Sequence, residues 1–283
     1  MTLVRKTAVT SLLACTAAVP AFAQDAPGAV NTGALSFSAG ADIVSTYFFR
    51  GIENDDSGFI VQPWAEVSTV IGDNIDLTLG TWSSVTSNNP GAGGGSFSRF
   101  FETDLYASLG TALTDELYGS ITYTGFFSPS QAFETIEEIS IRVDYDDSAA
   151  LGDWAFSPYS FIAFELRDEN PGGGENVYWE IGGAFGAPFI ESEDLPVELS
   201  FPVVIGLSLD NFYVDEGGGG NEFFGFLLVG AAASTPLDFI PADYGTWTAT
   251  AGIDILFLNG DVGLTDSGSD VEVVGKLGFG LEY

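Results

Sequence analysis

The last thirteen residues, Val271 to Tyr283, alternate without interruption. Val271, Val273, Gly275, Leu277, Phe279, Leu281 and Tyr283 share one parity, and Glu272, Val274, Lys276, Gly278, Gly280 and Glu282 share the other. Successive side chains of a strand point to opposite faces, so one face is apolar up to its final aromatic and the other carries charge and glycine. The closing strand of a bacterial outer-membrane barrel has this form: apolar toward lipid, polar toward the lumen, an aromatic at the interface. An amphipathic strand of a soluble sandwich is the competing reading, but such a strand has no reason to stop at its aromatic.

The other end of the chain fits an exported protein. Residues 1–23 hold Arg5 and Lys6, an apolar run from Ala8 to Val19, and Ala21-Phe22-Ala23. A basic start, a short apolar core and a small-x-small site define a cleavable signal peptide. Reading Leu12-Leu13-Ala14-Cys15 as a lipoprotein signal is the weaker alternative, because the Ala-x-Ala site downstream is cleaner. Residues 24–32 then form a short periplasmic lead, and 33–283 the folded unit.

Two absences narrow the chemistry. Cys15 is the only cysteine and there is no histidine. Ser-His hydrolases, Cys-His nucleophiles and most zinc sites are therefore excluded, no disulfide holds the cleaved protein, and neither enzymatic activity nor a cofactor is expected. Charge narrows the partners. Against 40 acidic residues stand 7 basic ones, a formal charge of −33, and Arg5 and Lys6 leave with the signal peptide. Such a chain repels phosphates and does not bind nucleic acid. Its surface attracts cations and stays soluble in high salt. Adaptation to a saline habitat and a field that concentrates cations at a pore are both consistent with it.

Hydrophobic residues make up 46% of the chain, yet no apolar run after Val19 approaches the length of a membrane-spanning helix. A mature chain in a membrane must therefore cross it as strands. From Gly33 onward, period-2 segments alternate with turn residues, and no segment shows a convincing period of 3.6. Twelve strands are predicted: 35–50, 59–71, 75–85, 97–113, 116–127, 133–145, 154–166, 177–187, 197–207, 222–234, 246–258 and 271–283. The even count suits an all-β, up-and-down antiparallel transmembrane barrel with both termini periplasmic. The glycine runs Gly93–Gly95, Gly172–Gly174 and Gly217–Gly220 all fall in connections at the end opposite the termini, where barrels keep their longer loops. Acids within strands keep to the less apolar face. This is the expected segregation, since a base at mid-bilayer on the lipid face costs about 2–4 kcal/mol and an acid somewhat less. Aromatics gather near strand ends, among them Tyr47, Phe49, Phe126, Phe127, Tyr145, Trp154, Tyr178, Trp179, Trp247 and Tyr283. Interfacial girdles have this distribution.

The segment Ala41-Asp42-Ile43-Val44-Ser45-Thr46-Tyr47-Phe48-Phe49-Arg50-Gly51-Ile52 resembles the opening strand of the TorF family of outer-membrane porins, which ends in a Tyr-x-Phe-Arg-Gly-Ile-like sequence. Leu79-Gly80-Thr81-Trp82-Ser83-Ser84-Val85 and Phe101-Glu102-Thr103-Asp104-Leu105-Tyr106 are similar to its next shared blocks. The likeness is best over 33–110; the chain departs in its acidity and its glycine-rich loops. The resemblance implies an outer-membrane barrel with channel function. It supplies neither a substrate nor functional residues.

On the face turned to the lumen, the charged candidates are Asp42, Glu66, Asp76, Glu102, Asp104, Glu138, Arg142, Asp144, Glu180 and Lys276, with Arg50 near the outer rim. Acidic rings favour cations in a pore. Alternatively, Arg142, Lys276 and their acidic neighbours form a buried network that fills a narrow barrel. Asn54–Gly58 and Thr265–Asp270 offer oxygen ligands for calcium but lack the EF-hand spacing, and solvated loops explain them better. Glu102 and Asp104 stand two apart on one strand face without the base, metal or nucleophile that catalysis would need. The expectation is a porin-like channel for passive diffusion of small cationic or neutral solutes. The alternative is a structural or surface-interaction barrel with a blocked lumen and acidic loops that bind divalent cations or partners. Expected partners are outer-membrane lipid, small solutes, and the barrel assembly machinery reading the strand that ends at Tyr283.

Overall fold

In the computed structural model, residues 34–91, 97–166, 176–190, 196–215, 217 and 220–283 are described. The signal peptide and lead expected at 1–32, and the runs Gly93–Gly95 and Gly172–Gly174, lie outside them. Twelve strands close into one antiparallel barrel: β1 (Leu35–Val44), β4 (Ile60–Ile71), β5 (Ile75–Thr86), β6 (Phe100–Ala112), β7 (Leu117–Phe127), β8 (Ile136–Tyr145), β9 (Tyr159–Glu165), β10 (Val177–Ile190), β11 (Val197–Asp210), β12 (Phe224–Pro236), β13 (Thr246–Leu258) and β14 (Val271–Glu282). Each pairs with its sequence neighbour along the wall, and β1 pairs with β14 from Ser38↔Glu282 to Val44↔Lys276. Tyr283 completes the seam: its N–H donates to the Phe37 carbonyl and its carbonyl accepts from the Phe37 N–H, both at 2.8 Å.

Period-2 patterning fixes which face is which. The odd residues of β14 point outward, with Val273, Leu277 and Phe279 each more than half exposed. Leu79, Leu105, Leu109, Ile121, Ile141, Ile253 and Ile255 continue this apolar surface around the wall. A monomeric soluble protein does not expose an apolar patch of this extent. Exposed Phe59, Phe97, Phe127 and Phe223 mark one end of the belt; Tyr145, Trp154, Phe239, Tyr244 and Tyr283 mark the other. A closed, even-stranded antiparallel barrel with an apolar belt between aromatic girdles is an outer-membrane β-barrel. The connections that contain the glycine runs all leave the barrel at the end away from the seam's terminal pair.

One expected strand is corrected in a way that changes the molecule. The alternation of 35–50 predicts a continuous strand, but β1 stops at Val44. The next residues form a separate two-stranded hairpin, β2 (Tyr47–Phe49) and β3 (Ile52–Asp55), which is not part of the barrel sheet. Ser45 makes the break: its N–H donates to the Gly275 carbonyl and its Oγ accepts from the Gly275 N–H, both at 3.0 Å. The hairpin turns on Arg50 (φ 51°) and Gly51 (φ 80°). Positive φ at both central residues of a two-residue loop is the primed turn that matches strand twist. The hairpin folds into the lumen. Tyr47, expected in an interfacial girdle, is 1% exposed, its neighbour Phe48 is 4% exposed, and Arg50, expected near the outer rim, is buried.

Smaller corrections follow from local chemistry. The strand expected to begin at Trp154 begins at Tyr159, because residues 148–154 form a helical turn, α1 (Ser148–Leu151), and a 3-10 turn, η1 (Gly152–Trp154). Asp147 organises that connection, accepting from the Phe156 and Ser157 N–H groups at 3.0–3.1 Å. The strand expected from Phe133 begins at Ile136, and Phe133 instead packs its ring on Phe101, centroids 5.7 Å apart. Tyr178 and Phe126, expected in girdles, face inward and are buried.

Candidate functional site

The hairpin occludes the half of the lumen away from the termini. Its apolar residues pack on the inward faces of eight wall strands: Ile60, Trp82, Phe101, Phe161, Val204, Phe226, Leu228, Leu256 and Val274 are buried and belong to one cluster with Tyr47 and Phe48. Tyr47 lies 5.3 Å from Trp82 and 5.9 Å from Phe101, and Phe49 lies edge-on to Phe126 at 5.6 Å. A Cβ on Gly51 would come within 2.7 Å of the Phe226 ring, so glycine serves close approach as well as positive φ. An inner barrel face in a soluble-like packed core is the reverse of a wet lumen, and it holds over this half of the barrel.

The hairpin tip is held by charge. Arg50 donates from both terminal nitrogens to Glu138, at 2.8 and 2.9 Å, and both side chains are buried. Its guanidinium carbon lies 4.4 Å from the Tyr178 ring centroid, 4.7 Å from Phe49, and 5.4 Å from both Phe161 and Phe212. Tyr213, from the connection between β11 and β12, donates to the Arg50 carbonyl at 2.6 Å. A bidentate, aromatic-caged arginine is the geometry in which that residue loses least on leaving water. It also explains how a non-glycine residue tolerates φ near +50°, a conformation that persists only where its surroundings over-determine it.

Tyrosine–acid pairs also line the inner wall. Tyr106 donates to Glu66 at 2.6 Å, Tyr118 to Asp76 at 3.0 Å, and Tyr159 and Tyr178 to the two oxygens of Glu180 at 2.6 Å each. Each of Tyr106, Tyr118 and Tyr159 lies over a glycine of a neighbouring strand, Gly80, Gly110 and Gly182, where any Cβ would crowd the ring. Glycine on the inner face therefore makes room for a tyrosine to cross it.

The predicted lumen residues sit as follows. All ten have inward parity. Glu66, Asp76 and Glu180 accept from tyrosines, and Glu138 holds Arg50. Arg142 pairs with Asp144 at 2.7 Å and stacks 3.7 Å from the Tyr159 ring centroid. Lys276 Nζ forms an ion pair with Asp254 Oδ2 at 2.5 Å, with Asp42 in electrostatic range of the same amine. Glu102 accepts from the Tyr47 hydroxyl at 2.8 Å. Asp104 is fully buried, and neither of its oxygens has a hydrogen-bond partner among the described residues. The ten are thus not one constellation: Glu102 and Glu138 bond to the hairpin, Glu180 reaches the Arg50 cage through Tyr178, and the others are held by wall residues or stand buried among them. The hairpin residues Tyr47, Phe48 and Phe49 and the ring Tyr213 carry as much of the site, and inner-face parity gives no sign of them.

At the mouth, Asn54–Gly58 and Thr265–Asp270 come together, since the Glu53 N–H donates to the Leu264 carbonyl at 2.8 Å. Partial burial, with Asp56, Asp266 and Glu272 adding repulsion, raises the Glu53 carboxyl above the ordinary carboxylate value. Among the described residues, no group of three or more ligating side chains is arranged to hold a metal ion.

No family model and no curated relative matches the chain, so the TorF resemblance remains a likeness of residues 33–110. Solved structures with a similar outline include the NanC porin, 12% identical over 88% of this chain and 100% of that one, with a TM-score of 0.46. An outer-membrane channel from Pseudomonas putida F1 is 9% identical over 92% and 100%, also at 0.46. The translocator domain of the autotransporter NalP from Neisseria meningitidis is 13% identical over 89% and 90%, at 0.43. These TM-scores all fall below 0.5; the barrel is established by its own strand register and apolar belt.

Proposed function

We propose that this chain is an outer-membrane channel for small cationic or neutral solutes, closed in this conformation by the Tyr47–Asp55 hairpin. The observation that carries the reading is that the occluding element has no strand pairing with the wall. β2 and β3 pair only with each other, so the hairpin can leave the lumen without breaking a single barrel ladder. Cation preference is supported by the charge balance. Asp42, Glu66, Asp76, Glu102, Asp104, Glu138, Asp144 and Glu180 face the lumen against Arg50, Arg142 and Lys276, and each base already has an acid partner. An acid-lined path between low-dielectric walls concentrates cations and repels anions. The β1–β14 seam, with Tyr283 as its last pair, is the strand the assembly machinery would read.

A second reading is favoured by the packing itself. Tyr213, Phe226 and Leu228 have no accessible surface, as expected for a permanently filled barrel whose acidic mouth binds cations or partners. Planar-bilayer recording separates the two. The channel reading predicts openings whose reversal potential in a potassium chloride gradient lies toward that of potassium. Silence under every condition, together with calcium-dependent protection of the mouth loops from protease, would favour the filled barrel.

A further inference from the structure

Arg50 fills a site that its own hairpin does not build. Glu138 comes from β8, Phe161 from β9, Tyr178 from β10, and Phe212 from the connection between β11 and β12. Of the four rings around the guanidinium, only Phe49 belongs to the hairpin. Glu138 takes both terminal nitrogens, at 2.8 and 2.9 Å, and the other three ring centroids stand 4.4 to 5.4 Å from the central carbon. These three rings are held without help from Arg50. Tyr178 donates to Glu180 at 2.6 Å, and its centroid lies 6.3 Å from that of Phe161 and 4.8 Å from that of Phe212. The Phe212 N–H donates to Ser208 Oγ at 2.9 Å.

We infer that the cage of Glu138, Phe161, Tyr178 and Phe212 is a binding site for a guanidinium-bearing solute, and that Arg50 is its tethered stand-in. The inference rests on the channel reading and names the solute class. A planar cation gripped through two nitrogens by one carboxylate and set among aromatic rings is the chemistry of guanidinium recognition. An ammonium offers a point charge, no fork for the two carboxylate oxygens, and a tighter hydration shell to lose. An anion is repelled by Glu138, with Glu180 standing behind the Tyr178 hydroxyl.

The way Arg50 is carried makes the site available. β2 and β3 pair with no wall strand, so Arg50 leaves with the hairpin while Glu138 and three of the four rings stay behind. A buried carboxylate left without its cation is costly, and a free guanidinium relieves it. The other lumen bases do not compete, since Arg142 is paired with Asp144 and Lys276 with Asp254. The docked hairpin and a bound solute exclude each other, because both use the same two oxygens of Glu138. Occupancy by the solute therefore holds the barrel open. A tethered group competes at an effective concentration on the order of millimolar, so binding is read most plainly once Arg50 is gone.

Methylguanidinium chloride is the probe, and methylammonium chloride, with the same charge and no fork, is its control. Titrated by calorimetry into the full-length Arg50→Ala protein in detergent, methylguanidinium should bind roughly tenfold or more tighter than methylammonium. Adding Glu138→Gln should weaken that binding about tenfold or more, and adding Phe161→Leu about twofold or more. The wild type, with its cage filled, should bind roughly tenfold or more weaker than Arg50→Ala. Heat-dependent mobility on SDS gels checks folding. Should Arg50→Ala not fold, the barrel with residues 47–55 replaced by a glycine-serine loop vacates the same cage and takes the same titrations. Methylguanidinium binding no tighter than methylammonium binding in the folded variant, or binding unchanged by Glu138→Gln, would overturn the inference, even where planar bilayers show a conducting channel. Selective binding to a barrel that stays silent in bilayers would uphold the site while removing the channel reading.

Discussion

Replacing Arg50 with alanine tests the latch at its strongest point. The substitution strands Glu138, which is buried and has given both oxygens to the guanidinium. Breaking a buried ion pair from one side costs about 3–5 kcal/mol, mostly the penalty of the charge left behind. Loss of the stacking on Tyr178 and Phe49 adds roughly 0.5–2 kcal/mol, not strictly additive. Alanine keeps the positive-φ strain, whereas Arg50→Gly recovers about 1 kcal/mol of it. At about 1.4 kcal/mol per tenfold, a cost of 3–5 kcal/mol raises the undocked hairpin population by roughly two to three and a half orders of magnitude. Hydrogen exchange of the amides of residues 47–55 should speed up by that factor in Arg50→Ala and somewhat less in Arg50→Gly. Amides in β12 to β14 should be unchanged, because no wall ladder depends on the hairpin. The double variant Arg50→Met with Glu138→Leu should return exchange to within about tenfold of the wild type, since an apolar pair replaces a buried ion pair at little cost. Exchange in Arg50→Ala within threefold of the wild type, or a double variant as fast as the single, would refute the latch.

The wall yields three further predictions. Leu277→Arg places a base on the lipid face and should destabilise the folded barrel by about 2–4 kcal/mol, read by urea unfolding in lipid. Gly80→Ala crowds the Tyr106 ring and should cost about 1–3 kcal/mol, whereas Gly275→Ala, with open space around its Cβ, should be nearly neutral. Deleting Tyr283 removes the two seam hydrogen bonds to Phe37, about 0.5–1.5 kcal/mol each, and should lower the yield of heat-modifiable barrel in the outer membrane.

Most of the wall was legible because a membrane barrel writes its topology in parity. β13 has the bounds that alternation gives it, and β14 loses only its terminal residue. The inward parity of Glu66, Asp104 and Lys276 follows from the same count. The hairpin was not legible because Tyr47 and Phe49 on one parity, and Thr46 and Arg50 on the other, continue the alternation of β1 past its end at Val44. Arg50-Gly51 carries a turn with an arginine where asparagine or aspartate is the usual signal. The only residue hint was a buried-type cluster, Tyr47-Phe48-Phe49, apolar on both parities, which no lipid-facing strand requires. Pairings such as Tyr106–Glu66 and Arg50–Glu138 join residues 40 and 88 apart, and they depend on register and on inward folding that no local pattern contains. The helical turn at 148–154 is too short to show a period.

The most direct test of a lumen closed by its own hairpin is conductance with the hairpin removed. Residues 47–55 would be replaced by a short glycine-serine loop and the protein reconstituted beside the wild type in planar bilayers at pH 6.5. The account predicts a nearly silent wild type and steady cation-selective openings in the excised barrel. Equal conductance in the two, or a silent excised barrel that still migrates as folded, would contradict it.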